Sequence, residues 1–444
     1  MAIHTEKPAA GPRSPRKMHG LLALSPLLVF LVTYLVTSIV AQDFYRVPVA
    51  AAFIAAAAYV LLITRSIGKT DDKIAVFSRG AGHPNILLMI WIFVLAGAFA
   101  ATAREIGAID ATVQLALRLL PGKLIYAGLF LAACFISMAI GTSVGTIVAL
   151  VPIAGGIAEQ TGIGIPLVTA IVVGGAFFGD NLSFISDTTI AATRSLGCRM
   201  KDKFIANLWI ALPAALFCIL LYATLLSKAG GTGADVVFHT RRFLLTVPYL
   251  FILGAALGGV NVLLLLALAL ALSGAIGLSI GYDVPFLAKN AWHGVLGMGQ
   301  LIVVTIVAAV VIEVVRHLGW LQRVMDFVGR KVKSPRAAEL AMAALVSVAD
   351  ILTANNTIAI LSVGPLCKEL TEHFGMSKLR AASILDTFSC VAQGFLPYGA
   401  QLLIAAGLAH ISPFDIIPNL HYPMVLGVVA LCYILLRKKV SVSL

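Results

Sequence analysis

Apolar runs of about twenty residues recur along most of this chain, and at about 1.5 Å per helical residue each can cross the roughly 30 Å hydrocarbon core of a bilayer. Ten stretches read as transmembrane helices: 21–41, 47–63, 85–103, 165–190, 204–226, 243–258, 260–280, 291–314, 378–406 and 421–436. Composition excludes a water-soluble fold independently. With 60% hydrophobic and 12% charged residues among 444, there are too few polar side chains to coat a globule of this size. The fold class expected is an all-α polytopic membrane protein with the lipid bilayer as its first partner.

Two further apolar stretches, 124–158 and 337–366, are interrupted by Gly141-Thr142-Ser143-Val144-Gly145 and Thr353-Ala354-Asn355-Asn356-Thr357. Backbone released from a helix at mid-membrane must be buried in protein or line a watery cavity, so both stretches read as re-entrant broken hairpins. The placement of basic residues favours that choice over two extra crossings. With the N-terminus inside, clusters near Lys7–Lys17, Arg65–Arg79, Arg194–Lys203, Arg316–Arg336, Lys368–Arg380 and Arg437–Lys439 share the cytoplasmic face. The location expected is the plasma (inner) membrane with both termini cytoplasmic. The run 21–41 is too long for a signal-peptide core and reads as a retained span.

The net charge of +12 comes from those loop clusters, and no basic-aromatic stripe accompanies them, which argues against nucleic acid as a partner. The six cysteines stand singly and the nine histidines form no metal-spaced cluster. Gly68-Lys69-Thr70 ends like a phosphate-binding loop, but position 63, where the leading glycine belongs, is Ile63. No cofactor is expected, and transport must draw on ion gradients. A homodimer is one allowed assembly.

The chain also repeats itself. Gly107 aligns with Gly319, Thr146 with Thr357, Pro152 with Pro365 and Gly162 with Gly375, at separations of 211 to 213 residues. In the topology above the first unit begins with a span leaving the cytoplasm and the second with one entering it, which makes an inverted repeat of the secondary-transporter kind. The organisation expected is a tail at 1–20, two leading helices within 21–84, a first transport repeat at 85–226, connecting helices at 227–290, a second repeat at 291–439 and a tail at 440–444.

The densest polar sequence inside an apolar region is Gly179-Asp180-Asn181-Leu182-Ser183-Phe184-Ile185-Ser186-Asp187-Thr188-Thr189. Carboxylates in a bilayer cost several kcal/mol and mark ion or proton paths. In a helix Asp180, Ser183 and Asp187 would share one face, with Asn181, Thr188 and Thr189 adding oxygen ligands for a cation beside them; the alternative is that one aspartate caps a half-helix or pairs with Arg194. Desolvation favours the protonated form of a carboxylic acid, whereas a bound Na+, a hard cation seeking oxygen, favours the ionised form. Competition of that kind couples H+ and Na+ movement in opposite directions.

This run resembles the Gly-Asp-x-x-Ser-x-x-Ser-Asp-Thr-Thr signature of the NhaC-type Na+/H+ antiporter family, within the ion-transporter group. Gly141-Thr142-Ser143-Val144-Gly145-Thr146 looks like the family's first broken hairpin, and Leu352-Thr353-Ala354-Asn355-Asn356-Thr357 sits where its second is expected. The resemblance covers about residues 85 to 436. It implies Na+ and proton binding by Asp180 and Asp187, with hydroxyls from Ser183 and Thr188 nearby. Asn181 and Phe184 stand where members often have Lys and Pro, and the second-half Glu-Asp and Pro-Trp pairs occur only as Leu385-Asp386 and Pro397-Tyr398. Relatives include exchangers of organic solutes. Without a lysine at 181, the expectation is two carboxylates with no local cation.

In the second half Asp350, Asn355, Asn356, Asp386, Ser389 and Gln393 lie at membrane depth, with Asp386 the better ligand candidate and the hairpin amides able to replace lost backbone partners. Thr142, Ser143, Thr353, Asn355, Asn356 and Asp386 are the expected hairpin and second-repeat contributors. Gly141-Thr142-Ser143-Val144-Gly145 also fits a G-x-S-x-G nucleophile pattern, and an intramembrane serine hydrolase using Ser143 with His293 or His317 is the remote alternative, but no strand is available for the elbow. The reading is an antiporter exchanging Na+ for H+, not an enzyme, with Na+-coupled exchange of a small carboxylate or amino acid as runner-up. In a cysteine-depleted background, single cysteines in loops 194–203 and 316–336 should both label from the cytoplasmic side. External labelling of either would overturn the hairpin assignment.

Overall fold

The computed structural model describes residues 25–40, 49–63, 70–119, 124–183, 186–225, 240–258, 260–319 and 332–436. The two tails, and the basic residues Arg65, Lys69, Arg323, Arg330 and Lys331, lie outside them. Among the described residues every element is helical. Helices α1 (Ser25–Val40) and α2 (Val49–Ile63) lead, followed by α3 (Thr70–Ala81), α4 (Pro84–Glu105) and α5 (Ala108–Leu119). The first hairpin is α6 (Ile125–Ile140) and α7 (Ser143–Thr161), and beyond it come α8 (Ile165–Leu182), α9 (Asp187–Leu196) and α10 (Met200–Leu225). Helices α11 (Thr240–Leu257), α12 (Val262–Ser279), α13 (Val284–Gly297) and α14 (Gly299–His317) connect to the second hairpin, α15 (Pro335–Thr353) and α16 (Asn356–His373). The chain continues through α17 (Lys378–Gly394), α18 (Ala400–Ala409), α19 (Pro413–Ile416) and α20 (His421–Leu436).

Helices occupy all ten stretches expected to cross, and the protein is an all-helical polytopic membrane protein. Among the described residues, 6 helical stretches are long and apolar enough to span, taking Ile165–Leu196 and Val284–His317 as one stretch each, or 7 if the pair Ala400–Ala409 and Pro413–Asn419, bent by 99°, counts as one. Three expected spans prove discontinuous. The stretch 165–190 breaks between Leu182 and Asp187, 291–314 changes helix at Met298, and 378–406 breaks between Gly394 and Ala400. In the last case Pro397 removes a donor and biases Leu396 away from helical backbone.

The repeat is visible in the backbone. Positive φ occurs at Gly107 (78°), Gly141 (75°), Gly162 (72°) and Gly197 (70°), and again at Gly319 (69°), Ala354 (49°), Gly375 (58°) and His410 (54°). The first pair is 212 residues apart and the other three are 213 apart. Helix starts obey the same spacing: 143 and 356, 165 and 378, 187 and 400. Packing is reciprocal as well. Helix α9, after the first break, packs on the second hairpin arm α16, while α18, after the second break, packs on the first hairpin arm α7.

Small residues let these helices approach closely, the usual device where lipid gives no hydrophobic drive between helices. Gly97 of α4 and Gly294 of α13 face each other so closely that a Cβ on either would overlap the other's carbonyl oxygen. On α8, a Cβ at Gly175 would lie 2.5 Å from Ala133 Cβ, and one at Gly179 would overlap Ser137, both on α6. Ser137 Oγ seals that contact by donating to the carbonyl of Ala176 at 2.6 Å. The contact fixes the depth of Asp180, one residue beyond Gly179, against the first hairpin. Gly179→Ala should therefore lower thermal stability in detergent by about 1–3 kcal/mol, the usual cost of overpacking. Gly155→Ala, where nothing lies within 4 Å of the added Cβ, should be neutral or stabilising.

Candidate functional site

Four half-helices begin around one cavity of about 260 Å³. They are α7 at Ser143, α9 at Asp187, α16 at Asn356 and α18 at Ala400. Each N-terminus leaves N–H groups unpaired and carries partial positive charge. In a membrane protein such ends are tolerable only where side chains or a cavity meet them.

Asp180, 5% exposed, meets the first of these ends, its Oδ1 accepting from the Ser143 N–H at 2.9 Å. Thr188 Oγ1 donates to the main-chain carbonyl of Asp180 at 3.0 Å and lies 2.8 Å from Ser186 Oγ, which folds the start of α9 back over the end of α8. Asp187, the first residue of α9, is exposed and lines the cavity. The second hairpin caps itself. Asn355 Oδ1 accepts from the Ile358 N–H at 3.0 Å, and Asn356 Oδ1 accepts from Thr357 at 3.0 Å. Asn356 Nδ2 is left buried without a partner. The caps of α9 and α18, Ser186 and Gly399, make no side-chain capping bond.

A polar chain in the wall of this cavity joins the two repeats. The Gln401 amide lies 3.0 Å from Ser143 Oγ and 2.9 Å from the Gln393 amide. Turned so that its NH2 faces the acid, Gln393 donates to Asp350 Oδ1 at 2.8 Å. At the repeat spacing of 213, Gln393 stands where the first half has Asp180, and Gln401 where it has Thr188.

Of the residues singled out from sequence, Thr142, Ser143, Asp180, Asp187, Thr188, Asn355, Asn356 and Gln393 line the cavity together. Asp350, Ser389 and four further candidates do not. Ser183 Oγ donates to the Met138 carbonyl at 2.8 Å, tying the break to the first hairpin arm. Thr353 Oγ1 donates to the Asn355 carbonyl and faces a smaller neighbouring cleft of about 70 Å³. Asn181 Nδ2 donates to Thr387 Oγ1 at 3.2 Å, away from the cavity. Asp386 is fully buried and sits 2.5 Å from the ammonium of Lys203. That lysine corrects two expectations: it is a buried partner rather than a cytoplasmic loop charge, and it supplies a local cation beside the α8–α9 break. Arg380, also grouped with the loops, is instead paired with Glu339, its Nη2 lying 2.7 Å from Oε2. The hydroxyl of Ser143 is engaged by Gln401, not by His293, which lines a separate cavity, so the hydrolase geometry is absent among the described residues.

Sequence reasoning left out Lys203, Asn207 and Gln401. Lys203 and Asn207 are spaced i, i+4 and so share one face of α10, and Gln401 follows from Thr188 once the 213-residue spacing is known.

The Na+/H+ antiporter family model matches the chain twice, over residues 17–231 and 223–437. The malate-2H(+)/Na(+)-lactate antiporter of Bacillus subtilis (strain 168) is 22% identical over 371 residues, covering 76% of this chain and 78% of that protein. Among solved structures, the Alcanivorax borkumensis YdaH transporter, reported with an unusual topology, is 13% identical over 87% of this chain and 97% of its own, at a TM-score of 0.43. Matched over both halves, the chain belongs to the Na+/H+ antiporter family and is an integral-membrane, Na+-coupled antiporter, not an enzyme.

Proposed function

We propose that this antiporter exchanges Na+ for H+ through Asp180 and Asp187, in the inner membrane, with both termini in the cytoplasm. The observation that carries the reading is the convergence of these two carboxylates with both hairpin tips on one cavity. Na+ prefers several hard oxygen ligands. Around Asp180 and Asp187 the lining offers hydroxyl oxygens from Thr142, Ser143, Ser186 and Thr188 and amide oxygens from Asn355, Asn356 and Gln401. A carboxylate oxygen that coordinates Na+ cannot also hold a proton, so one ion leaves as the other arrives. The duplicated hairpins bring two broken elements to one cavity, the arrangement on which alternating access in repeat-built transporters depends.

Two observations favour a second reading, in which a small organic carboxylate is exchanged in a Na+-coupled cycle. The cavity, at about 260 Å³, is far larger than one ion needs. The N-termini of α9 and α18, uncapped by side chains, offer N–H groups and positive dipole ends suited to a carboxylate. The Bacillus subtilis relative is named for malate and lactate, which adds weight to this alternative. Purified protein in liposomes separates the two. Collapse of a pH gradient on adding Na+ alone supports Na+/H+ exchange, whereas a response that requires a small hydroxy acid supports the second reading.

Three outcomes are expected, two in the same assay and one by cysteine labelling. Asp187→Asn should abolish coupled flux while the protein stays inserted, since the amide neither carries the proton nor offers a charged ligand; wild-type rates would remove Asp187 from the mechanism. Asp187→Glu should retain weak activity with altered cation preference, because the longer arm misplaces the oxygens. Cysteines at Ser143 and Asn355 should react with small water-soluble reagents, and protection of either should be relieved when Na+ is withdrawn.

A further inference from the structure

Beside the cavity lies a second charged group that the ion path does not use. Lys203, in the first turn of α10, is fully buried. Its ammonium donates to the main-chain carbonyl of Asn181 at 2.7 Å and to Thr189 Oγ1 at 2.7 Å, and it lies 2.5 Å from Asp386 Oδ2. An ammonium has three protons, so these three acceptors saturate it. Asn207, one turn further along α10, donates to the same Asp386 oxygen at 2.9 Å and to the Asn181 carbonyl at 3.1 Å.

The ammonium is matched on Asp386 Oδ2, while Oδ1 of the same carboxylate is buried without a hydrogen-bond partner. Neither Lys203 nor Asp386 lines the cavity that holds Asp180 and Asp187. A desolvated carboxylate without a partner would draw in a cation or a proton of its own. Asp386 has its cation covalently tethered. The tether also spans the break, because Asn181 lies in the last turn of α8 and Thr189 in the first turn of α9, while Asp386 belongs to α17 of the other repeat.

We propose that Lys203 is a resident cation and positioning residue of the transport site: it neutralises Asp386 permanently, so that Asp180 and Asp187 are the carboxylates left open to transported ions. Position 181 faces the same buried pair. Asn181 Oδ1 accepts from Asn207 at 3.2 Å, next to Asp386, so an ammonium carried on residue 181 would reach the same carboxylate.

The inference rests on the cation-coupled reading of the cavity, and wild-type flux in the same vesicles tests that reading separately. Four variants are compared with wild type for initial Na+-dependent flux and half-saturating Na+ in proteoliposomes, and for thermal stability in detergent. Lys203→Met leaves a buried carboxylate unpaired, and its flux should fall at least about tenfold. Adding Asp386→Asn removes the second charge and should recover flux to within about fivefold of wild type, at an unchanged half-saturating Na+ concentration. Adding Asn181→Lys to Lys203→Met should recover flux likewise, whereas Asn181→Lys alone sets two ammonium groups against one carboxylate and should lose it. A purely structural lysine would not be rescued from position 181. Wild-type flux in Lys203→Met overturns the proposal. So does a Lys203→Met/Asp386→Asn protein as inactive as the single variant, whether it fails to insert or Asp386 proves to carry an ion. If wild type itself shows no Na+-dependent flux, the cavity reading fails and the pair is judged on thermal stability, where the charge-free double variant must exceed the single one.

Discussion

The hydrogen bond from the Ser143 N–H to the Asp180 carboxylate governs much of this architecture. A helix interrupted inside a membrane exposes N–H groups that lipid cannot satisfy. Here the first hairpin's exposed end is met by an acid from a neighbouring helix, which is itself held in place by the glycine contacts between α6 and α8. The acid thus does two jobs. One oxygen closes the broken helix, and the group as a whole borders the cavity, so a change in what the carboxylate binds is felt directly at the tip of the hairpin.

Much of this was legible in the chain. Glycines, threonines and asparagines inside long apolar runs mark broken hairpins because nothing else tolerates them at that depth, and Asp180 and Asp187 stood out for the same reason. What could not be read was orientation within a motif. Asp180 and Asn181 are neighbours on α8, but successive helical residues point about 100° apart, so one meets the cavity and the other turns toward α10 and α17. Ser183 falls on the break itself and is consumed in tying it down. Lys203 was hidden differently. Flanked by Lys201 and Asp202, it looks like one more loop charge, and only the packing of α10 beside α17 shows that it is buried.

That lysine changes the charge count of the site. Two acids without a counter-charge would repel each other and any further anion. The actual set is three acids near the break, of which Asp386 is paired with Lys203 while Asp180 and Asp187 line the cavity. Asn181 and Thr387, both fully buried and hydrogen-bonded to each other, pack beside the matched pair and are not among the residues lining the cavity.

The 213-residue spacing leads further. Both halves share helix starts and left-handed turns, yet the second holds two of those turns with Ala354 and His410 where the first uses glycine, and a non-glycine residue in that backbone region costs on the order of 1 kcal/mol. It also carries Gln393 in place of Asp180. The halves are therefore alike as scaffolds and unlike as chemistry: one is charged and turns on unstrained glycines, the other is neutral at the matching position and held in its turns by its surroundings. Twofold architecture thus carries two different polar fillings: an acid stands at position 180 in the first half, whereas at the matching position 393 the second half sets an amide against the buried Asp350.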